Sequence, residues 1–238
     1  MDYTEFKIAK IIREASEVIT LSLTPTQPIE YKYSAGMFTM VKIPETHLPA
    51  RAFSFSSSPS DSDIELTIEK TGLVTSALHD LEVGSRLLLS QPKGKFILPD
   101  EIKEDLVFIA GGSGIAPIRS LIKYLQHIKF KKEIKLYYCT RKSSDIIFRK
   151  EFEELDKCWP QFSLLVALTQ EPPDSQWTGQ RERMNQEQIA VNIKKDRIPL
   201  FYLCGSPQLV ISIIKELADL GVPRENIVTE QWLQPVVE

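Results

Sequence analysis

Cysteine is scarce in this chain: Cys139, Cys158 and Cys204 stand far apart among 238 residues and none belongs to a C-x-x-C pair. That argues against a disulfide framework and against an all-cysteine metal or iron–sulfur cluster built from this chain. Histidine is as scarce, and His47, His79 and His127 make no ligand spacing, so no metal site is expected. No apolar run approaches the roughly 20 residues that a membrane helix needs, and the opening MDYTEFKIAK lacks the apolar core of a signal peptide. Charge of one sign is missing too. The 29 basic and 32 acidic side chains leave a net charge of -3, which gives no reason to expect a nucleic acid or a membrane as partner. The expectation is a cytoplasmic globular protein, because 42% apolar residues suffice for one large core or two small ones.

The pattern of what is present changes once along the chain. Up to about residue 98, short apolar segments (FKIAKII, VITLSL, GMFTMVKI, IELTIEK and RLLLSQ) alternate with turn residues, the rhythm of antiparallel strands in a sandwich or barrel. Prolines 25, 28, 44, 49 and 59 fall between or beside these runs, where a missing donor does least harm. One helix is expected there, after Gly72 across LVTSALHDL. ILPDEIKED then bridges to a second pattern: LVFIAGG before IRSLIKYLQ, IKLYYCT before FRKEFEEL, FSLLVALT, and LFYLCG before VISIIKELADLG. Strand alternating with helix predicts a parallel sheet covered by helices. Near-continuous apolar strands such as LVFIA suit a sheet buried on both faces. The expected fold is therefore two domains, an antiparallel β-barrel over residues 1–99 and an α/β parallel-sheet domain over residues 100–238.

In the second domain IAGGSGIAPIRS joins a strand to a helix through Gly111, Gly112 and Gly114, with Pro117 near the helix start. Glycines let backbone amides approach a phosphate at a helix N-terminus, although the spacing is not G-x-G-x-x-G and the same residues serve plain tight packing. At the end of the next strand a dinucleotide fold for NAD places an acid against the ribose 2′-hydroxyl, whereas an arginine accommodates a 2′-phosphate. Here the strand runs into Thr140, Arg141 and Lys142, with no acid before Asp145. The residues lean to NADPH over NADH, or else are solvated strand-end charges.

Taken together, RAFSFSSSP at residues 51–59, GLVT at 72–75, GGSGIAP at 111–117, CGSP at 204–207 and the late TEQW resemble, in this order, the ferredoxin–NADP reductase family. The resemblance covers nearly the whole chain. It implies an FAD-binding barrel followed by an NAD(P)-binding domain. It also implies that Arg51 neutralises the flavin pyrophosphate, that Phe53 stacks where the family usually has tyrosine, and that Ser54 hydrogen-bonds near the flavin N5. Gly72, Val74 and Thr75 would form a second phosphate motif, whose bland reading is a glycine turn capped by Thr75. Cys204 would sit beside the nicotinamide with Gly205 and Pro207, and Glu230 and Trp232 match the family's acid-x-aromatic ending, the tryptophan covering the flavin. Six residues after Trp232 depart from the plant-type ending and point to a bacterial-type reductase.

Hydride transfer between nicotinamide and flavin requires positioning of the reacting atoms at about 3–3.5 Å more than acid–base chemistry. The resemblance therefore implies an NAD(P)H-dependent flavoprotein that passes electrons to a separate ferredoxin, flavodoxin or oxygenase component. Two other readings stand beside it: an NAD(P)H:flavin reductase that releases reduced flavin, and an electron-transfer flavoprotein of a larger complex with no turnover of its own.

Overall fold

A computed structural model describes residues 2–193 and 197–230. The chain divides into two compact units, the first made of residues up to Leu98 together with Ala116–Lys129, the second of Pro99–Ile115 together with the chain from Phe130 onward. Six strands build the first: β1 (Tyr3–Ala15), β2 (Val18–Pro25), β3 (Phe38–Lys42), β4 (Arg51–Ser54), β5 (Ile64–Glu69) and, after the helix α1 (Leu73–His79), β6 (Arg86–Ser90). They pair antiparallel in the order β4-β3-β6-β1-β2-β5. The two edges then meet. Phe55, just beyond β4, bridges Leu66 of β5, and the Ser56 amide donates to the Glu65 carbonyl at 2.8 Å, which closes the sheet into a barrel. Period-2 alternation sends Phe6, Ile8, Leu21, Leu66, Leu87 and Leu89 into its core. In β1 the alternation fails after Ile8, where the register with β2 slips at a bulge and leaves Ala9 and Lys10 both exposed.

The remaining elements are β7 (Leu106–Gly111), α2 (Ile115–His127), β8 (Ile134–Thr140), α3 (Arg149–Cys158), β9 (Phe162–Leu168), α4 (Gln186–Ala190), β10 (Leu200–Cys204), α5 (Pro207–Asp219) and β11 (Ile227–Thr229). Their five strands are parallel in the order β11-β10-β7-β8-β9. Sheet order reverses between β7 and β10, and in open α/β sheets ligands bind outside the carboxyl ends of the strands at such a reversal. The helix expected after Gly72 is α1, and every strand expected in the second half is present. α4 and β11, at five and three residues, are too short to show a period in the sequence.

The serine run has a packing explanation. β2 is buried on both faces: Ile19, Leu21 and Leu23 fill the barrel, while Thr20 on the outside shares a 2.9 Å hydrogen bond with Thr67, whose hydroxyl donates to Ser56 Oγ at 2.9 Å. This outer polar seam lies under α2 residues that cluster with the barrel. Arg119 donates to the Glu65 carboxylate at 2.6 Å and to the Ser56 carbonyl at 3.0 Å, Ser120 donates to the Ser57 carbonyl at 2.5 Å, and Lys123 pairs with Asp61 at 2.6 Å. Arg119 is only 7% exposed. A buried charge pair contributes little net stability while intact, yet losing one member strands the other without water. Arg119→Ala is therefore expected to lower the unfolding free energy by about 3–5 kcal/mol, measured by urea denaturation; a loss below about 1 kcal/mol would mean that the pair behaves as a solvated one.

Candidate functional site

Two groups of sequence-predicted residues come from the first unit. β4 pairs with β3 so that Ser54 faces Phe38, Phe53 faces Thr39 and Arg51 faces Val41. Arg51 is exposed, Ser54 is half-buried at the strand end, and Phe53 is half-buried against the barrel core. The second group is the turn into α1. Gly72, not Thr75, occupies the N-cap position, and Thr75 lies three residues further on. The Thr75 hydroxyl accepts from the amides of Thr71 and Gly72, both at 2.9 Å, and donates to the Gly72 carbonyl at 3.0 Å. One donor and two acceptor positions are all that a hydroxyl offers, so this one is filled by its own loop. Val74 is buried, Leu73 is 75% exposed, and a Cβ on Gly72 would meet nothing within 4 Å. The Gly72 amide is held by Thr75, so the donors that a pyrophosphate such as that of FAD could use here are the first-turn amides beyond Gly72 and, on β4, the exposed Arg51 guanidinium.

In the second unit the predicted residues gather at the carboxyl edge of the parallel sheet. Gly111 ends β7, Thr140 ends β8, Cys204 ends β10 and Glu230 follows β11, its amide donating to the Leu203 carbonyl at 3.3 Å. At the reversal between β7 and β10 the backbones nearly touch. A Cβ on Gly114 would come within 2.5 Å of the Cys204 carbonyl oxygen, and one on Gly205 within 3.0 Å of the Gly111 Cα. These glycines serve tight packing. Gly112 is different: its φ is +53° and a Cβ on it would meet nothing within 4 Å, while its carbonyl accepts from the Tyr138 hydroxyl at 3.1 Å. Pro117 is buried in the first turn of α2, while Pro207 opens α5 behind Ser206, whose hydroxyl accepts from the Leu209 amide at 3.3 Å.

Cys204 is buried, and desolvation pushes its thiol pKa well above the ordinary value, with the charge of Glu230 acting in the same direction. It is a neutral thiol at pH 7 and not a thiolate nucleophile. Glu230 is itself 5% exposed. Thr140 is buried and its carbonyl accepts from the Thr169 amide at 3.0 Å; the exposed Arg141 accepts through its carbonyl from the Gln170 amide at 2.8 Å. Trp232 lies outside the described residues. One acid that sequence reading missed stands beside the segment after Arg141: Glu171, whose carboxylate accepts from the Ser143 amide at 2.8 Å and the Ser143 hydroxyl at 2.9 Å. Its only signal in the sequence is its place just beyond FSLLVALT, in front of Pro172 and Pro173.

Comparison with known proteins agrees with this geometry. Residues 3–106 match the family model described as an FAD-binding domain, and residues 108–215 match the one described as an oxidoreductase NAD-binding domain. The chain belongs to the FAD- and NAD-binding oxidoreductases. It is 27% identical to the F component of the Na(+)-translocating NADH-quinone reductase of Yersinia pestis, over 97% of this chain and 61% of that protein. It is 29% identical to the reductase component of propane 2-monooxygenase from Mycolicibacterium goodii, over 93% of this chain and 65% of that one. The chain thus spans about three fifths of the length of these curated relatives. In fold it resembles a ferredoxin NADP+ reductase from Neisseria gonorrhoeae solved with bound FAD and NADP, with a TM-score of 0.81 at 21% identity, covering 97% of this chain and 98% of that one. No helix among the described residues is long and apolar enough to cross a membrane.

Two outcomes follow from the packing. Gly114→Ala should destabilise the chain by about 1–3 kcal/mol through overpacking against Cys204, while Gly72→Ala should leave the thermal midpoint nearly unchanged; equal shifts would mean that the loop at the sheet reversal gives way. Iodoacetamide at pH 8 should alkylate the exposed Cys158 and leave the buried Cys139 and Cys204 unmodified, as read by peptide mass mapping; rapid labelling of Cys204 would contradict its burial.

Proposed function

We propose that this chain is an FAD-dependent NAD(P)H oxidoreductase that passes electrons from a nicotinamide cofactor to a separate one-electron carrier, such as a ferredoxin, a flavodoxin or an oxygenase component. The observation that carries the reading is that an FAD-binding and an NAD-binding family model match the segments that hold two glycine turns, Gly72 at the start of α1 and Gly112 at the sheet reversal, each with open space where a Cβ would stand. When bound, FAD accepts two electrons as hydride and returns them singly.

The residues divide the work. Residues 1–99 hold the flavin and residues 100–238 the dinucleotide. Arg51 offsets pyrophosphate charge, Phe53 supplies an apolar ring, and Ser54 offers a hydroxyl at the flavin ring. Thr75 shapes the Gly72 turn so that its first-turn amides face the phosphates. Gly111, Gly114 and Gly205 bring the β7 and β10 loops close enough for Gly112 to offer its amide to the dinucleotide. Cys204, kept neutral, presents a small uncharged surface to the nicotinamide ring with the Glu230 carboxyl near it, and Trp232 covers the flavin. A cytoplasmic location accords with this reading, because a nicotinamide donor and free cysteines both suit a reducing compartment. The reductase component among its relatives supports an oxygenase-type acceptor. A second reading, an electron-transfer flavoprotein active only within an assembly, is favoured by the NADH-quinone reductase relative, which is longer than this chain.

The purified protein should be yellow, and anaerobic addition of NADH or NADPH should bleach its visible flavin band within the mixing time. A colourless protein that reduces only added flavin would support the flavin-releasing reductase instead, and a yellow protein inert to both donors would support the assembly-bound flavoprotein. Arg51→Ala should weaken FAD retention about 10- to 100-fold, the effect of losing a charged hydrogen bond, in a gel-filtration or fluorescence titration; unchanged retention would remove Arg51 from the flavin site.

A further inference from the structure

A glycine that lets backbone amides approach a ligand also lets them turn away. The freedom that allows Gly112 a φ of +53° lets the peptide on either side of it rotate, and a rotated peptide would present a carbonyl oxygen where an anion needs an N–H. The next strand holds this peptide in one orientation. β7 and β8 pair with Tyr138 opposite Ala110, two residues before Gly112, and the Tyr138 hydroxyl reaches beyond the ladder to donate to the Gly112 carbonyl at 3.1 Å.

The hydroxyl is itself fixed. Ile147, just before α3, donates its amide to the same oxygen at 3.3 Å, which leaves the hydroxyl's one proton for Gly112. The ring is fully buried beside Ile146, Phe152, Leu164 and Val166, a packing that holds its orientation. Within the loop the Gly112 carbonyl also accepts from the Ile115 amide, but this tighter turn has poorer hydrogen-bond geometry than an α-helix. Tyr138 ties that turn to the sheet. A trans peptide is planar with its N–H opposite its C=O, so a carbonyl turned to a buried ring sets the Ser113 N–H away from that ring, at the reversal between β7 and β10.

We infer that Tyr138 is a positioning residue for the nicotinamide donor: through the Gly112 carbonyl it keeps the backbone N–H groups of the loop aimed at the donor's pyrophosphate. This rests on the reductase reading above and deepens it by naming a buried residue that acts on the dinucleotide through the loop. The pyrophosphate is common to NADH and NADPH, so the effect is the same for both. Tyr137, the adjacent residue of β8, supplies the comparison. Its side chain packs in the core on the other face of the sheet, and its hydroxyl also makes two hydrogen bonds, donating to the Gln188 carbonyl at 3.0 Å and accepting from Asn192 Nδ2 at 2.9 Å.

Tyr138→Phe and Tyr137→Phe each remove one buried hydroxyl, and only the first releases the loop. Calorimetric titration of NAD+, NADP+ and ADP into the purified flavoprotein should show Tyr138→Phe weakening all three by a common factor of about tenfold, the effect of misaligning a charge-assisted hydrogen bond. Tyr137→Phe should bind them as the wild type does, although both variants lower the thermal midpoint. In anaerobic stopped-flow mixing, Tyr138→Phe should need about tenfold more donor for half-maximal flavin reduction and reach the wild-type rate at saturation, as a loss of uniform binding requires. Unchanged affinities in Tyr138→Phe, equal losses in the two variants or a loss confined to one nucleotide would overturn the assignment, as would a Tyr138→Phe chain that does not fold while Tyr137→Phe does. If binding weakens as expected but no donor bleaches the flavin, the reductase reading falls and the assignment stands for the dinucleotide; if no nucleotide binds, both fall.

Discussion

A guanidinium taken out of water has to recover its hydrogen bonds from the protein, and Arg119 does so from one seam of the barrel: the Glu65 carboxylate and the Ser56 carbonyl, with Ser120 and Lys123 on the same helix holding Ser57 and Asp61. The barrel depends on this arrangement because its closing strand edge is here. Phe55 bridges β5 and the Ser56 amide extends the ladder, so the residues that finish the sheet are also the ones that receive the helix. Small hydroxyl side chains suit this place for a physical reason. They satisfy one another across the seam, as Thr20, Thr67 and Ser56 do, without demanding volume beneath the helix. The consequence for β4 is direct: Ser54 is two residues from the first carbonyl that Arg119 holds.

A second constraint governs the parallel sheet. Its order reverses between β7 and β10, and the loops that leave these strands approach until no Cβ fits at Gly114 and little room remains at Gly205. Close packing explains three glycines of this loop pair. Gly111, Gly114 and Gly205 bring the backbones together, and the loop they form leaves Gly112, in its left-handed conformation, with open space where a Cβ would stand. At the same edge Cys204 lies in a setting that disfavours a thiolate through burial and a neighbouring acid. That suits a residue whose contribution is shape and neutrality.

Such a division fits an oxidoreductase whose cofactors supply the chemistry and whose chain supplies position and charge. The end of β8 illustrates how charge is set. Arg141 and Glu171 are 30 positions apart in sequence, yet hydrogen bonds from the Thr169 and Gln170 amides to the Thr140 and Arg141 carbonyls bring the segment after Arg141 beside Glu171.

The sequence alone determined the change of architecture near residue 99, because a period of two and an alternation of buried strands with helices leave different traces in the order of apolar residues. It determined the membership of the flavin and nucleotide segments as well, because glycine, proline and arginine recur there at spacings that backbone geometry requires. It did not show the short α4 and β11, which have no period to detect. It did not assign the serines to a seam beneath α2, since their partner Arg119 is 63 positions away. Nor did it place an acid beside the end of β8, or show which glycines touch a neighbouring backbone and which face open space. Those are properties of contacts between distant segments. Only the tertiary structure decided them, because a side chain's charge and room depend on what the fold sets next to it and not on its neighbours along the chain.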